Sequence, residues 1–279
     1  MTPLHLERLQ AVLSTLPQRV IACSGGIDSL LLATLAHRAL PHATRVLHAV
    51  SPAVPQEATA RVRSWAAQEG WSLEIVESGE FDDEDYLSNP SNRCYHCKRH
   101  LYDRLHILGQ VGDTVLSGAN MDDLGEYRPG LTAASEKGVR HPWVEANIGK
   151  ATLRDIARHL KLPFAELPAS PCLASRLYTG TRVTAARVRA VEAGEVLIRR
   201  RTGLGVVRCR LREDHVLIEV GADDRHAITP LLLAEVADAM RLLEPAIASV
   251  ELDAHAYRPG RSFIIAKAPA SATTSNTPP

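Results

Sequence analysis

A six-residue segment, SGGIDS at residues 24–29, constrains the fold of this chain more than any other feature. It follows an apolar run at residues 19–23 that is typical of a buried β-strand, and it precedes a helix-forming run at residues 30–37. In such a unit, paired glycines let backbone N–H groups converge on phosphate oxygens, and the helix N-terminus adds partial positive charge. The pattern predicts a phosphate-binding loop. The residues predicted to contact phosphate are Ser24, Gly25, Gly26, Asp28 and Ser29.

Asp28 has two interpretations, because its carboxylate can cap the following helix or hold a magnesium ion. The simpler alternative for the whole segment is a Gly-Gly turn closed by a capping aspartate. A mononucleotide P-loop is excluded, since the chain contains no GxxxxGK[ST] sequence and Gly149-Lys150 is followed by Ala151.

Strand and helix patterns alternate through the first half of the chain. Further strands are predicted at residues 46–50, 72–76 and 113–117, and helices at residues 57–69 and 95–108. This alternation predicts an α/β fold with a parallel sheet covered by helices on both faces. Ligands of such sheets bind beyond the carboxyl ends of the strands, where SGGIDS and a second segment, SGAN at residues 117–120, both lie.

The pattern changes near residue 181 and predicts a second, smaller α+β domain. A helix is predicted at 184–201, a hairpin formed by 206–211 and 215–220, a helix at 229–243 and a strand near 263–266. We therefore predict a PP-loop-type parallel-sheet domain at residues 1–175, the smaller domain at 176–267, and a disordered tail at 268–279. The smaller domain is expected to serve substrate binding or oligomerisation.

Charge and cysteine content limit the class of protein further. The chain has 279 residues with 32 basic and 32 acidic side chains, so no net field attracts it to nucleic acid or to a membrane surface. No apolar run reaches the roughly 18–20 residues that a membrane span needs. We expect a cytoplasmic enzyme, in which five cysteines indicate metal-binding or catalytic roles rather than disulfides.

Three cysteines carry most of the chemical information. Cys94 and Cys97 form a CxxC pair at the start of a predicted helix, where the helix terminus is expected to lower thiol pKa values, and Cys172 lies in PCLASR. Three interpretations compete: a structural zinc site with His96 or His100 as the fourth ligand, a redox dithiol, or an iron–sulfur cluster. Three thiolates on such a cluster would leave one iron open.

The phosphate-loop sequence resembles the PP-loop of the N-type ATP pyrophosphatases, which include NAD and GMP synthetases and tRNA thiolation enzymes. The resemblance implies that ATP and Mg²⁺ are used to form an adenylate with release of pyrophosphate. SGAN and the acidic pair Asp122-Asp123 match the second nucleotide segment of that superfamily. The resemblance adds three nucleotide-binding residues, namely Gly118, Asn120 and Asp122.

Longer segments resemble the LarE family of sulfur transferases. They are NPSNRCYHCKRHLYDRL, the run from SGANMDDLGEYRPG to HLKLP, and ASPCLASRLYTGTRVT, and the similarity extends over residues 19–210. The resemblance implies adenylation of the carboxylates of pyridinium-3,5-biscarboxylic acid mononucleotide and their conversion to thiocarboxylates, a step toward the nickel-pincer nucleotide. Relatives form hexamers, so a homo-oligomer is implied, with a small-molecule substrate and no nucleic acid or membrane partner.

Two branches of the family differ in the source of sulfur. In one branch a single cysteine, matched by Cys172, gives up its own sulfur and becomes dehydroalanine. In the other, three cysteines matched by Cys94, Cys97 and Cys172 bind a [4Fe-4S] cluster that carries an extra sulfide. All three are present here, which favours the cluster branch. Pro171 and Ala174 depart from the common ACLSSR sequence of the family. These two differences are expected to alter the reactivity of Cys172 in the sacrificial route or the geometry of its loop.

Several charged residues in the second half have competing interpretations. The resemblance implies that Arg208 and Arg210 bind the substrate phosphate; their strand spacing equally fits a solvated face, with Cys209 in the core. Arg176 is interpreted as a phosphate or adenylate ligand or as a surface cation. Glu192 and Glu195 fit a shared metal, although a surface Glu195–Arg199 pair is favoured.

Two other functions fit the same motifs. A PP-loop tRNA thiolation enzyme also combines SGGxDS with cysteines, but the zero net charge argues against a nucleic-acid surface. A zinc-stabilised nucleotide-binding protein would account for the same residues without catalysis.

Overall fold

The fold is taken from a computed structural model that describes residues 2–125 and 127–263. Four parallel strands form the larger sheet in the order β3-β2-β1-β4. In the central strand, Ile21 pairs with Val46 of β2 on one side and with Leu116 of β4 on the other. The predicted parallel sheet is confirmed. Its strands are β1 (Arg19–Ala22), β2 (Thr44–Val50), β3 (Ser72–Glu77) and β4 (Thr114–Ser117).

Helices cover both faces of this sheet because successive side chains of each strand point in opposite directions. Val20 packs into a core with residues of α5 and α6, whereas the neighbouring Ile21 packs into the core formed with α2, α3 and α8. Both side chains are fully buried. The helices of this part are α1 (Thr2–Ser14), α2 (Ile27–Ala39), α3 (Gln56–Glu69), α4 (Glu84–Leu87), α5 (Arg93–Leu108), α6 (Pro129–Glu136), α7 (Pro142–Glu145) and α8 (Lys150–His159).

A three-stranded sheet and two helices form the smaller domain. Its strands β5 and β6 are antiparallel, as the predicted hairpin requires, and β7 pairs parallel to β6 at the other side. The short strand β7 was not predicted, and the predicted strand at 263–266 and the tail at 268–279 lie outside the described residues, apart from Phe263. The elements are α9 (Ala185–Thr202), β5 (Val207–Arg212), β6 (His215–Val220), α10 (Pro230–Arg241) and β7 (Ser249–Leu252).

The hydrophobic cores show where the two parts of the chain meet. The core beneath α2 and α8 extends to Ala165, whereas Leu173 and Ala174 already pack into the core of the smaller domain. That second core also takes Ala53 and Tyr86 from the parallel-sheet part. Leu173 and Ala174, placed above in the first domain, thus pack in the core around β5 and α9. Across the described ranges, no helix is both long and apolar enough to cross a membrane.

Gly194, in the middle of α9, provides a test of this packing. A Cβ at Gly194 would lie 2.9 Å from Met240 Sδ and 3.1 Å from Cys209 Sγ. Helix propensity alone would favour Gly194→Ala by about 1 kcal/mol. Overpacking costs about 1–3 kcal/mol, so we expect a net loss of up to about 2 kcal/mol in the free energy of unfolding, measured by urea denaturation.

Gly205→Ala is the matched control for that substitution. No atom lies within 4 Å of the added methyl group at Gly205. We expect unfolding free energy to stay constant or rise by up to about 1 kcal/mol. Equal effects of the two substitutions would contradict the close packing of α9 against α10.

Candidate functional site

The predicted phosphate loop connects β1 to α2 at the carboxyl end of the central strand. Gly25 has a φ of 80°, and a Cβ there would lie 2.9 Å from the carbonyl oxygen of Ala58 in α3. Gly26 caps α2 without a side-chain hydrogen bond to the helix. The N-terminus of α2 is therefore approachable by an anion, as the helix dipole and its unpaired N–H groups favour.

Ser29 holds the loop together from inside. Its hydroxyl accepts a hydrogen bond from the Ser24 backbone N–H at 3.0 Å, lies 3.1 Å from the Ser24 hydroxyl and donates to the Gly26 carbonyl. Ser29 is buried, so its hydroxyl first serves loop geometry. Cys23, just before the loop, is buried as predicted, and burial raises the pKa of its thiol to about 11.

Asp28 is held by two partners from other segments and does not cap α2. Its Oδ2 accepts from Lys150 Nζ at 2.5 Å and its Oδ1 from Asn120 Nδ2 at 3.1 Å. Lys150 begins α8, so a second helix N-terminus lies beside the loop. Lys150 was not predicted as a site residue, because Gly149-Lys150 was used only to exclude a P-loop. The sequence signal that could have identified Lys150 as a site residue is a lysine directly after a glycine at the start of a helix.

The SGAN segment lies directly on the phosphate loop. A Cβ at Gly118 would lie 2.8 Å from the backbone nitrogen of Ser29, so only glycine allows this approach. Asp122 accepts a hydrogen bond from the backbone N–H of Lys150 at 2.9 Å and thereby caps α8. The structure thus brings the two predicted nucleotide segments together at one edge of the sheet.

The three predicted cysteines form a second group. Cys94 and Cys97 lie in the first turns of α5, exposed and half-buried respectively, and Cys172 is half-buried in the segment between the domains. Cys97 and Cys172 pack on the same hydrophobic core. Burial raises the pKa of Cys97 to about 12. The nearby charge of Lys98 lowers this pKa, whereas Glu80, Cys172 and Cys94 raise it further. The prediction of lowered pKa values is wrong for Cys97, since burial outweighs the helix terminus.

The kind of metal centre that the cysteines can bind depends on the distances between their sulfur atoms. Tetrahedral zinc with Zn–S bonds of about 2.3 Å needs ligand sulfurs about 3.8 Å apart. Among the described residues, the one set of three ligand atoms that lie within 4.8 Å of one another belongs to Asp83, Asp85 and His96, not to the cysteines. Cysteines that bind different irons of a cluster are further apart than ligands of one ion. Three thiols are a donor set of the kind that iron–sulfur clusters use.

The two histidines proposed as a fourth zinc ligand differ in their contacts. His100 Nε2 is 2.6 Å from Asp83 Oδ2, whereas His96 Nδ1 is buried without a hydrogen-bond partner among the described residues and lies 3.8 Å from an Asp85 carboxylate oxygen. The contacts of His100 argue against that residue as a zinc ligand, and the ring nitrogen of His96 stays unpaired.

Arg176 is neither a surface cation nor a free guanidinium. It is 3% exposed and forms a two-hydrogen-bond ion pair with Glu195, which is 1% exposed. A further guanidinium N–H donates to the carbonyls of Pro171 and Cys172. Arg176 thus fixes the backbone on both sides of the Cys172 residue. The Glu195–Arg199 pair exists at 3.3 Å, but its description as a surface pair is wrong because Glu195 is buried.

Arg208 and Arg210 are also buried, so the solvated-face interpretation is wrong. Arg210 pairs with Glu219 at 2.9 Å. Arg208 lies over the ring of Tyr257 at 5.2 Å and donates to the Val207 and Ala169 carbonyls. Burial, and then the charges of neighbouring arginines, lower its pKa. Within the described part of the chain no carboxylate lies within ion-pair distance of Arg208, so no direct ion pair neutralises its charge, and Glu195 acts on it only from farther away.

Glu192 and Glu195 do not converge on a common metal position. Glu192 Oε1 accepts a hydrogen bond from the backbone N–H of Gln56 at 2.7 Å, at the N-terminus of α3. Glu195 is occupied by Arg176 and by the backbone N–H of Cys209. Cys209 is a fully buried core residue, as predicted.

The fold and the loop define a PP-loop α/β protein with a second, smaller domain.

No family model matches the chain. It is 38% identical over 217 residues to an uncharacterized protein of Synechocystis sp., covering 77% of this chain and 81% of that protein. It is 32% identical over 216 residues to the pyridinium-3,5-bisthiocarboxylic acid mononucleotide synthase of Lactiplantibacillus plantarum, covering 76% and 78%. An uncharacterized protein of Methanocaldococcus jannaschii is 28% identical over 206 residues, covering 73% and 78%. The chain belongs to the LarE family, that of the L. plantarum synthase.

The buried ion pair beside Cys172 allows a quantitative test. Arg176→Met leaves the Glu195 carboxylate buried with Arg199 as its remaining charged partner. Removing one member of a buried pair costs about 3–5 kcal/mol, so we expect a loss of that order in the free energy of unfolding, measured by urea denaturation.

The exposed pair Arg158–Glu166 supplies the control. Arg158→Met is expected to cost less than about 1 kcal/mol, as is typical of surface pairs. Similar losses for Arg158→Met and Arg176→Met would show that the Arg176–Glu195 pair is not buried in solution.

Proposed function

We propose that this protein is an ATP-dependent sulfur transferase acting on pyridinium-3,5-biscarboxylic acid mononucleotide. One observation carries the proposal: the phosphate loop contacts the first turn of α3, and the Cys172 segment is hydrogen-bonded to the β2–α3 connection directly before that helix. Gly25 packs against Ala58, and the Leu173 N–H donates to the Ala53 carbonyl at 2.8 Å. The name of the L. plantarum relative supports the substrate and the thiocarboxylate product.

The first step is adenylation of a substrate carboxylate. A carboxylate oxygen attacks the α-phosphorus of ATP, and the bond from that phosphorus to the pyrophosphate oxygen breaks. Residues 24–29 would receive the phosphates through backbone N–H groups, and Lys150 would add a positive charge. Asp28 would hold a magnesium ion that accompanies ATP once Lys150 turns to phosphate.

The second step replaces AMP by sulfur. A [4Fe-4S] cluster held by Cys94, Cys97 and Cys172 would supply a sulfide; in the alternative, the Cys172 sulfur is the donor. Sulfide would attack the activated carboxyl carbon, the carbon–oxygen bond to AMP would break, and a thiocarboxylate would remain. In the Cys172 alternative, the thiolate would displace AMP to give a thioester. Loss of the Cys172 Cα proton and cleavage of its Cβ–Sγ bond would then release the thiocarboxylate and leave dehydroalanine. Arg208, whose charge no direct ion pair neutralises among the described residues, would bind the substrate phosphate with Arg210 beside it. The Arg176–Glu195 pair would hold the Cys172 backbone in place.

Turnover with purified protein tests the proposal. With the pyridinium substrate, ATP and a sulfide source, we expect AMP, pyrophosphate and thiocarboxylate to form in equal amounts. Mass spectrometry measures the three products. Lys150→Met is expected to lower AMP formation by about 10²-fold or more, because it removes a charge aimed at the phosphates. Lys161→Met, an exposed lysine beyond the end of α8, is the control. Wild-type protein that thiolates tRNA instead, or that forms no AMP, would contradict the proposal.

Iron analysis tests the source of sulfur separately. Anaerobically prepared protein is expected to be brown and to contain about four irons per chain, and Cys94→Ser, Cys97→Ser or Cys172→Ser should each lower that content. Cys209→Ser is the control, since Cys209 is a core residue. Colourless protein with one zinc per chain would exclude the cluster, and iron-free protein with a 34 Da mass loss at Cys172 after turnover would favour the sacrificial route (about the mass of H₂S).

A further inference from the structure

The two cysteine segments are distant in sequence, and one side chain connects them. Arg93 immediately precedes Cys94 at the start of α5. Its guanidinium donates to the Ala174 carbonyl oxygen at 2.9 Å, two residues after Cys172, and to Asn89 Oδ1 at 2.5 Å. Ala174 is fully buried, so this hydrogen bond is shielded from water. Arg93 therefore joins the CxxC helix to the Cys172 segment.

Asn89 extends this connection on the opposite side. Its side-chain amide donates to the carbonyls of Tyr178 and Thr181, each at 2.8 Å, and its own carbonyl accepts from the Gly180 N–H at 2.9 Å. Asn89 is 1% exposed and has a φ of 56°, a conformation that asparagine tolerates better than most residues. Both N–H groups of the side-chain amide are used, and the amide oxygen accepts the hydrogen bond from Arg93. Asn89 thus fixes Arg93 relative to the chain that follows Cys172.

Hydrogen bonds to the Cys172 segment distinguish Arg93 from the neighbouring cation of α5. In the described part of the molecule, no carboxylate lies within ion-pair distance of the Arg93 guanidinium. Lys98 lies over the ring of Tyr102, and among the described residues no hydrogen bond joins Lys98 to the Cys172 segment.

We propose that Arg93, held by Asn89, is the positioning residue that sets the distance between the Cys94–Cys97 pair and Cys172. The proposal rests on the proposed function only in assigning these cysteines a common ligand or acceptor. The spacing itself is a property of the protein without metal, ATP or substrate. It can therefore be measured independently of catalysis.

Cross-linking of the reduced, metal-free protein measures that spacing. Dibromobimane links neighbouring thiols, and the linked peptides are identified by mass spectrometry. Wild-type protein should give both a Cys94–Cys97 product and a product joining Cys172 to α5. In Arg93→Met the second product should fall about tenfold, since a small displacement of reacting groups strongly slows a proximity-dependent reaction. The Cys94–Cys97 product, formed within one helix, should not change.

Two further variants separate positioning from general loss of structure. Arg93→Lys keeps the charge and one hydrogen-bond donor, and should restore part of the Cys172 cross-link and of the iron bound on anaerobic reconstitution. Asn89→Gly keeps the left-handed backbone but removes the side chain, and should lower the Cys172 cross-link in a variant that still folds. Arg99→Met, which removes an arginine of α5 paired with Asp83, is the control.

The outcomes distinguish this inference from the proposed function. Unchanged Cys172 cross-linking in both Arg93→Met and Asn89→Gly overturns the positioning role, whatever the wild-type turnover. Absence of a Cys172 cross-link in wild-type protein overturns it as well. Loss of the cross-link in the variants supports it even if wild-type protein forms no thiocarboxylate, in which case only the proposed function fails.

Discussion

The arrangement of the site depends on a close backbone approach at the carboxyl end of the parallel sheet. The loops that follow β1 and β4 touch where Gly118 meets the backbone of Ser29, and Gly25 meets α3 at a similar distance. Side chains at these glycines would push the loops apart, since real Cβ atoms do not approach backbone atoms so closely. This contact brings Asn120 to Asp28 and, through Asp122, places the N-terminus of α8 beside that of α2. Two helix ends and one lysine thereby converge on one position.

The core of the smaller domain contains charged side chains, which are rarely fully buried in proteins. Arg176, Glu195, Arg210 and Glu219 are all buried and form ion pairs within or next to the core around β5. Such pairs are weak sources of stability, because desolvation offsets much of their attraction. Their value here is geometric. Arg176 holds the carbonyls on either side of the Cys172 peptide, and Arg210 donates to the carbonyl of Ser175, so the segment with Cys172 is fixed by guanidinium groups.

The parts of the structure that sequence predicted well are those determined by local pattern. The β1–α2 connection, the alternating strands and helices and the β5–β6 hairpin each depend on neighbouring residues, and their boundaries agree with the observed elements within a few residues. Features that depend on distant partners were missed. Strand β7 has only four residues and is defined by pairing with β6, and the role of Lys150 depends on an aspartate 122 residues earlier. The burial of Arg176, and the raised pKa of Cys97, likewise come from packing between segments that no local spacing reveals.

The contact between Glu192 and the Gln56 N–H has a consequence for domain movement. Glu192 belongs to α9, yet it supplies the acceptor for the first turn of α3, a helix whose own N-cap residue, Pro55, offers no side-chain acceptor. Opening the two domains as a hinge would expose that helix end, at a cost of about 0.5–2 kcal/mol. A ligand that binds only to the opened form would lose affinity by the corresponding factor, roughly 2- to 30-fold. The Glu192 carboxylate would therefore stabilise the closed arrangement of the two domains.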